Sequence, residues 1–270
     1  MANLPPQSSS AKKDESNSSV CASNTDSTRL MYAKCLVTEL HNPDLRENAL
    51  TVLSKMKDLF QELAPLLWNS FGIIAVFLQE IITIYPVLST SDLTPAQSTR
   101  ICNVLALLQC VASHPTTKMA FLKAKLPVYL YPYLRTSNKL APYEDLRLGT
   151  LGVIAATVKV KTREAIDFLL ESEVMPLCLH SIEVGKELSK TVAAFIVEKI
   201  LSDHAGMAYV CVIPERYYAV TRALDILAGS QNQPSSRLVK LLISCYTYLS
   251  EKEGLFVQKT IPPPPPPPQS

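Results

Sequence analysis

The sequence predicts an all-α fold, because residues 93–134 read as three consecutive helices and their pattern returns three times before the C-terminus. The copies follow one another at intervals of 43 to 47 residues. A period of about 40 to 47 residues, built from two or three helices, is typical of armadillo and HEAT proteins. We therefore expect an armadillo- or HEAT-like helical-repeat solenoid of about five to six repeats. A plain helical domain whose similar helices imitate a repeat is the alternative.

The clearest copy of the unit opens at Thr94. Thr94 is a good N-cap, Pro95 suits the first helical position, and Gln97 stands where a capping box needs an amide. The helix then carries a single apolar stripe at spacings of four, three and three: Ile101, Leu105, Leu108 and Val111. A stripe with the period of an α-helix must be buried, so Leu105 and Leu108 are predicted to lie at the heart of this unit.

Three kinds of marker recur at one phase in the four copies. A basic residue opens each long helix: Arg100, Arg147, Lys190 and Arg237. An aromatic residue follows the polar break after that helix: Phe121, Phe168, Tyr209 and Phe256. A proline comes last: Pro127, Pro176, Pro214 and Pro262. Such agreement favours true repetition over chance similarity.

The first unit is predicted to be an imperfect repeat, as terminal repeats often are. Residues 31–40 read as a short helix, and Asn42 and Pro43 cap a second one over residues 44–63. The sequence Ala64-Pro65 opens a third, which contains the only tryptophan, Trp68. The longest apolar stretch, residues 66–88, is interrupted by polar residues and is predicted to be a core helix rather than a membrane span.

The chain divides into three parts by composition. Residues 1–27 are rich in Ser, Asn, Lys and Asp and are predicted to be a disordered N-terminal tail. Residues 28–258 form the predicted armadillo-repeat domain. Residues 259–270 form a polyproline tail, which either binds a proline-recognising module or is an unconstrained terminus.

The net charge and the cysteine content limit the classes of function and the compartment that the sequence allows. The formal net charge is only +2, so the chain as a whole does not have the electrostatic character of a nucleic-acid-binding protein. Seven cysteines form no CxxC pair and favour a reducing compartment. No segment resembles a signal peptide, and we therefore expect the protein in the cytoplasm and the nucleus, without a membrane association.

The motifs that carry catalysis or metal binding are missing from the sequence. Its seven glycines form no phosphate-binding loop, its four histidines lie in separate repeats, and no G-x-S-x-G elbow presents a nucleophile. The acidic pairs at 171–173 and 251–253 lie in breaks between helices, where solvation and capping are their ordinary roles. We therefore expect a protein that is not an enzyme and has no catalytic residue, metal or cofactor.

Five strings carry a resemblance to a known family. They are LAPLLWNSFGIIAVFLQEI, NVLALLQCVASHPTTKMAFL, LRLGTLGVIAA, ELSKTVAAFIVEKIL and SSRLVKLLISCY. They resemble the Rcd family (required for cell differentiation), the armadillo-repeat Caf-forty or Not-nine subunit of the CCR-NOT deadenylase complex. The likeness runs from about Asp44 to Val257. Two departures stand out: polyproline follows the last repeat where the family usually has further helices, and Pro214 stands where the family often has tyrosine.

The resemblance implies a non-catalytic adaptor in mRNA deadenylation, decay and translational repression. Such a subunit docks on the large scaffold subunit of the CCR-NOT complex and captures tryptophan-containing or helical segments of silencing proteins. By position, the resemblance assigns partner tryptophan binding to five residues: Asn69, Phe71, Ala75, Ile82 and Arg216. It assigns a groove for helical peptides to Val192.

Several alternatives stay open on the sequence alone. The spacing of Phe71, Ala75 and Ile82 suits a place in the core as well as a partner surface. A weak nucleic-acid-binding function would use basic residues outside the assigned site: Lys118, Lys123, Lys125, Arg135 and Lys139. A transport-receptor-like armadillo protein is a third reading, although one tryptophan is too few for the ladder that such a groove presents. A homodimer is also compatible with the sequence.

Overall fold

The structure, a computed structural model, describes residues 17–229 and 235–260. Fourteen α-helices are assigned in these residues, and they contain no strand. The helices are α1 (Asn17–Glu39), α2 (Pro43–Leu53), α3 (Phe60–Asn69), α4 (Ile73–Thr83), α5 (Pro95–Ser113), α6 (Pro115–Lys123), α7 (Tyr131–Arg135), α8 (Ala141–Val158), α9 (Arg163–Glu171), α10 (Val174–Val184), α11 (Glu187–Leu201), α12 (His204–Val212), α13 (Pro214–Gly229) and α14 (Ser236–Thr260). Short 3-10 turns occupy Lys57–Leu59, Pro86–Leu88 and Leu126–Leu130.

The helices stack as a solenoid. The long helices form one row, in which α2 packs on α5, α5 on α8, α8 on α11 and α11 on α14. A second row joins α7 to α10 and α10 to α13, and in a third α9 contacts α12. A unit of three helices that repeats along the chain is the armadillo arrangement, and the predicted all-α repeat fold is confirmed.

The capping signals read from the sequence are present in α5. The Thr94 hydroxyl accepts a hydrogen bond from the Gln97 backbone N–H at 3.2 Å, and the Gln97 side chain accepts one from the Thr94 N–H at 3.0 Å. Leu105 and Leu108 are buried, as their stripe predicts. Prolines open four of the helices at their first position: Pro43, Pro95, Pro115 and Pro214. The basic markers do not open the long helices as predicted, because Arg100 is the sixth residue of α5 and Arg147 the seventh residue of α8.

The first unit differs from its prediction. The helix predicted for residues 44–63 ends at Leu53, and α3 begins at Phe60 with Pro65 inside it rather than at its start. Leu53, Met56, Phe60 and Leu63 keep the helical period across the break, at steps of three, four and three, so the pattern hides the interruption. In the structure Phe60 is exposed, and Leu59 is buried instead.

The long apolar stretch of residues 66–88 is likewise not one helix. It turns at Gly72, whose φ of 76° lies in the left-handed region that glycine adopts without strain. The segments on either side of this turn lie at 89° to each other. Among the described helices, no single one has the length and apolar composition to cross a membrane, and only this bent pair passes such a test together.

The first helix extends across the predicted boundary between the N-terminal tail and the repeat domain. Helix α1 begins at Asn17, inside the segment 1–27 for which composition predicts disorder. Its anchor lies at its other end, where Ala33, Leu36 and Val37 are buried, and the polar residues before Arg29 continue that helix. The proline run, including the marker Pro262, lies outside the described residues, as does the side chain of Phe256.

Candidate partner-binding surfaces

One candidate surface lies along α4 and the turn before it. Phe71 is 96% exposed and Ile82 is 44% exposed, and Asn69 and Ala75 are exposed as well. Ala75 and Ile82 are seven residues apart, or about two helical turns, and therefore share one side of α4. The turn at Gly72 carries Phe71 outward instead of into the core. We name these four residues the α4 face. The alternative that Phe71, Ala75 and Ile82 belong to the core is wrong, because all three are exposed.

A second candidate surface is a pocket of about 200 Å³ between α10 and α13. Its apolar walls are Met175, Pro176, Leu179 and Ala219, and Arg216 stands on its rim. Arg216 lies in the first turn of α13, which begins at Pro214. We name this cavity the Arg216 pocket.

The Arg216 side chain is held in place by two neighbours. Its guanidinium lies over the Tyr209 ring, 3.7 Å from the ring centroid, and its Nη2 is 3.5 Å from Glu173 Oε1. The Tyr209 hydroxyl in turn donates to Glu173 Oε2 at 2.5 Å. Burial, together with this hydrogen bond, raises the pKa of Tyr209 to about 12, so the hydroxyl keeps its proton at neutral pH. The three side chains form a closed set that fixes the guanidinium against the aromatic ring.

A neighbouring pocket of about 240 Å³ continues along the same two helices. It shares Pro176, Leu179 and Ala219 with the Arg216 pocket. Its far end is closed by Arg222, whose Nη2 lies 3.2 Å from Glu183 Oε1. The two helices therefore present two adjoining apolar recesses, each bordered by an arginine and a glutamate.

The residue assigned to the peptide groove, Val192, lines a hollow of about 570 Å³. The hollow lies along the row of long helices and includes two aromatic side chains, Phe60 and Phe195. Lys159 and Arg237 are exposed at its border, and Lys199 lies 5.3 Å from the centre of the Phe195 ring. An apolar floor between cationic borders suits a helical segment that carries apolar anchors and some negative charge.

The five residues assigned to tryptophan recognition fall into two groups. The α4 helix packs on α3, on α5 and on the 3-10 turn at Leu126–Leu130, whereas α13 packs on α10 and α12. The walls of the Arg216 pocket come from residues 173–179 and 209–219 and include none of the α4 face. We therefore treat the α4 face and the Arg216 pocket as separate surfaces.

One of the basic residues considered for nucleic-acid binding has a structural role. Lys118 is only 7% exposed, and its ammonium donates to the Val160 carbonyl at 2.8 Å. Burial lowers the pKa of Lys118. The other four, Lys123, Lys125, Arg135 and Lys139, are exposed.

The placement of potential metal ligands and of thiols bears on catalytic chemistry, and in the part of the chain that the structure describes three cysteines are buried and two are half-buried. This part holds no group of three or more His, Cys, Asp or Glu residues placed to bind a metal ion. Burial raises the pKa of Cys110, Cys178 and Cys245 to about 12 and that of Cys102 to about 11. Thiols with such pKa values stay protonated and unreactive at neutral pH.

Comparison with known proteins shows the family to which the chain belongs. Residues 36–262, most of the chain, match the model of the cell differentiation family, Rcd1-like. The chain belongs to this family. The Rcd1-like match spans both the α4 face and the Arg216 pocket, so neither surface is an addition outside the family domain.

This Rcd1-like chain is similar to several curated proteins, among them two yeast proteins. It is 47% identical over 216 residues to the cell differentiation protein rcd1 of Schizosaccharomyces pombe, covering 80% of this chain and 76% of that protein. It is 46% identical over 208 residues to the protein CAF40 of Saccharomyces cerevisiae, covering 76% of this chain. The chain spans 56% of the length of the budding-yeast protein.

Two residues of the Arg216 pocket were missed by sequence reasoning about this Rcd1-like chain. The sequence predicts only a repeat marker at Tyr209 and a solvating or capping residue at Glu173. Glu173 has a φ of 55°, which places it in the left-handed region where a non-glycine residue is uncommon. Arg216 and Glu173 are 43 residues apart, which is one repeat, so their contact could have been inferred from the repeat period, whereas the 36 residues between Tyr209 and Glu173 match no such period.

Proposed function

We propose that this chain is a non-catalytic adaptor subunit of the CCR-NOT deadenylase complex. In this proposal it docks on the large scaffold subunit of the complex and captures tryptophan-containing or helical segments of mRNA-silencing proteins. Capture would direct the bound mRNA to deadenylation, decay and translational repression, in the cytoplasm and the nucleus. The observation that supports it best is the Arg216 pocket, an apolar recess whose cationic rim is fixed in advance.

The Arg216 pocket suits an indole side chain. Met175, Pro176 and Leu179 offer apolar contact, while the guanidinium of Arg216 offers a flat cationic surface. A tryptophan that enters such a recess buries about 150 to 250 Å² and gains further from contact with a cation. The second pocket beside it would accept another apolar side chain from the same segment, which raises affinity through effective concentration.

The α4 face suits a different kind of contact. Ala75 and Ile82 lie on an exposed side of α4, and Phe71, just before the helix, is 96% exposed, so this surface differs from the recesses described above. Permanent subunit interfaces are typically extended and apolar, with aromatic anchors near their centre. We therefore propose the α4 face for docking on the scaffold subunit and the Arg216 pocket for tryptophan capture, with helical segments bound in the groove at Val192.

Docking is tested by replacing Ile82 with aspartate. A charge introduced into an apolar interface has no partner there, so Ile82→Asp should reduce recovery of the scaffold subunit at least about tenfold in affinity purification from cells. The matched control is Ile243→Asp, because Ile243 is also largely exposed but lies on α14. Absence of the scaffold from the eluate of the parent chain would overturn the proposed function.

Tryptophan capture is tested at Pro214, which is exposed at the start of α13, two residues before Arg216. Replacing it with tyrosine adds an aromatic ring near the pocket rim. We expect Pro214→Tyr to tighten binding of a tryptophan-containing partner peptide by a few-fold to about tenfold, which is the worth of one aromatic pair. Calorimetric titration of both folded proteins measures this. Equal affinities would mean that this corner of α13 does not contribute to the pocket.

Direct binding of single-stranded nucleic acid is the second candidate, and the cations around the Val192 hollow favour it: Lys159, Lys199 and Arg237. Lys199 is partly neutralised, because its ammonium lies 3.1 Å from Glu198 Oε2. A salt series on RNA binding separates the two candidates, since phosphate contacts weaken steeply as salt rises and apolar peptide capture does not.

A further inference from the structure

A polar cavity of about 290 Å³ lies between α2, α4 and α5, and neither docking nor tryptophan capture uses it. Its wall contains two arginines, Arg46 of α2 and Arg100 of α5, and one carboxylate, Glu80 of α4. Gln79 and Thr83 are exposed residues at its opening. Two guanidiniums and one carboxylate line the cavity, and the second carboxylate near Arg100, that of Glu47, lies outside the lining and is largely exposed to solvent.

The three charged groups form one fixed arrangement. Arg100 binds Glu80 through two nitrogens, with Nε 2.6 Å from Oε2 and Nη2 2.9 Å from Oε1. Arg46 Nη1 also donates to Glu80 Oε1, at 2.9 Å, and its Nε donates to the Leu40 carbonyl. Burial by itself would raise the pKa of the Glu80 carboxyl, but the hydrogen bonds from Arg100 and Arg46 outweigh it and the pKa is lowered. Glu80 is therefore ionised at neutral pH, and both of its oxygens are already occupied.

The cavity has more hydrogen-bond donors than acceptors. Each guanidinium has five N–H groups, and Arg100 uses two of its own on Glu80 and a third, on Nη1, in a long 3.4 Å contact with the exposed Glu47. The Gln97 oxygen is occupied by the Thr94 N–H and hydroxyl, both at 3.0 Å, which leaves its NH₂ group as a donor. A ligand that matches this lining must supply acceptors and negative charge.

The opening of the cavity borders the α4 face. Gln79 follows Ala75 by four residues and precedes Ile82 by three, so these side chains are neighbours on one side of the helix. Thr83 follows Gln79 by one further turn. A protein that covers Ala75 and Ile82 therefore also covers the entrance between Gln79 and Thr83.

We propose that this cavity receives the side-chain carboxylate of a glutamate or aspartate from the protein that docks on the α4 face. Each nitrogen of Arg46 and Arg100 has one partner, which for Arg46 Nη2 is the His41 carbonyl at 3.5 Å, but each Nη carries a second N–H. The carboxylate would bind these second N–H groups and the Gln97 amide. A planar, singly charged group fits both the geometry of a guanidinium and the excess of guanidiniums over carboxylates in the lining. A phosphate with two charges fits less well, because Glu80 and Glu47 stand beside the site and repel it. The inference rests on the proposed docking surface.

The experiment measures the dissociation constant between the full chain and the purified scaffold subunit. Gln79→Glu keeps the shape of the side chain and places a negative charge at the opening, and we expect it to weaken binding about tenfold. Gln61→Glu, the same change at an exposed position of α3, is the matched control and should leave affinity unchanged. Arg100→Gln removes a guanidinium from the wall and should weaken binding at least as much as Gln79→Glu.

A double-mutant cycle identifies the incoming group. One acidic residue of the scaffold, when changed to its amide, should weaken binding by the same factor as Arg100→Gln, and the two losses should not add. If Ile82→Asp weakens binding but Gln79→Glu behaves like Gln61→Glu, the cavity proposal is overturned while the docking proposal stands. If Ile82→Asp has no effect, the docking surface is wrong and the cavity proposal fails with it.

Discussion

Replacing Glu144 with alanine is expected to lower the free energy of unfolding by about 3 to 5 kcal/mol. Glu144 and Arg147 form an ion pair within α8, and Arg147 is completely buried. The other Glu144 oxygen accepts from the backbone N–H of Lys186 at 2.8 Å, and Lys186 is the N-cap residue of α11. Without the carboxylate, a buried guanidinium has no counter-charge and a helix N-terminus loses an acceptor.

The remaining contacts of Arg147 explain why the loss would not be compensated. Its Nη2 donates to the carbonyls of Thr136 and Asn138 at 2.9 and 3.0 Å, which anchors the loop before α8. These neutral acceptors cannot replace a charge, and burial keeps water away from the guanidinium. The pair therefore joins a loop, α8 and the start of α11, the helix that carries Val192.

Urea denaturation of the parent and of Glu144→Ala measures the change, with the slope of the transition as a check on two-state behaviour. The control is Asp167→Ala, which removes the exposed pair of Asp167 with Arg163 and should cost less than about 1 kcal/mol. A loss below about 1 kcal/mol for Glu144→Ala would contradict the assigned role of the pair.

Most of the helices can be predicted from the sequence, because N-caps, prolines and apolar stripes are local signals. The capping box at Thr94 and the proline that opens α5 could be placed from composition and spacing alone. The break between α2 and α3 could not, because its apolar residues keep the helical period through the interruption. The bend at Gly72 was hidden for a similar reason, since a glycine between two apolar runs does not show which φ it adopts.

The candidate surfaces were harder to predict because they depend on which side chains are exposed to solvent. Phe71, Ala75 and Ile82 have a spacing that fits the core and the surface equally, and only the packing of α3 and α4 exposes them. The Arg216 pocket joins Arg216 to Glu173, 43 residues earlier in the chain. Such contacts follow from the stacking of successive repeats, which a single sequence indicates only through its period.

Replacing Gly206 with alanine is the second large expected effect, a loss of stability of about 3 kcal/mol. Gly206 is buried in the first turn of α12, directly after the turn that joins α11 to α12. A Cβ at this position would lie 2.0 Å from the Ile200 carbonyl oxygen and 2.8 Å from the Ile200 carbonyl carbon. The obstacle is backbone rather than the end of a flexible side chain, so α12 must move away from α11.

That movement links stability to the proposed function. Tyr209 lies one turn after Gly206 and carries the guanidinium of Arg216 on its ring, so a displaced α12 would also disturb the Arg216 pocket. We expect Gly206→Ala to lower the unfolding midpoint in urea and to weaken binding of a tryptophan-containing peptide. The control is Gly229→Ala, where an added Cβ meets no atom of the described residues within 4 Å and stability should rise by up to about 1 kcal/mol. A Gly206→Ala protein as stable as the parent would show that α11 and α12 need not approach so closely. It would also contradict the argument that this turn fixes the position of Tyr209.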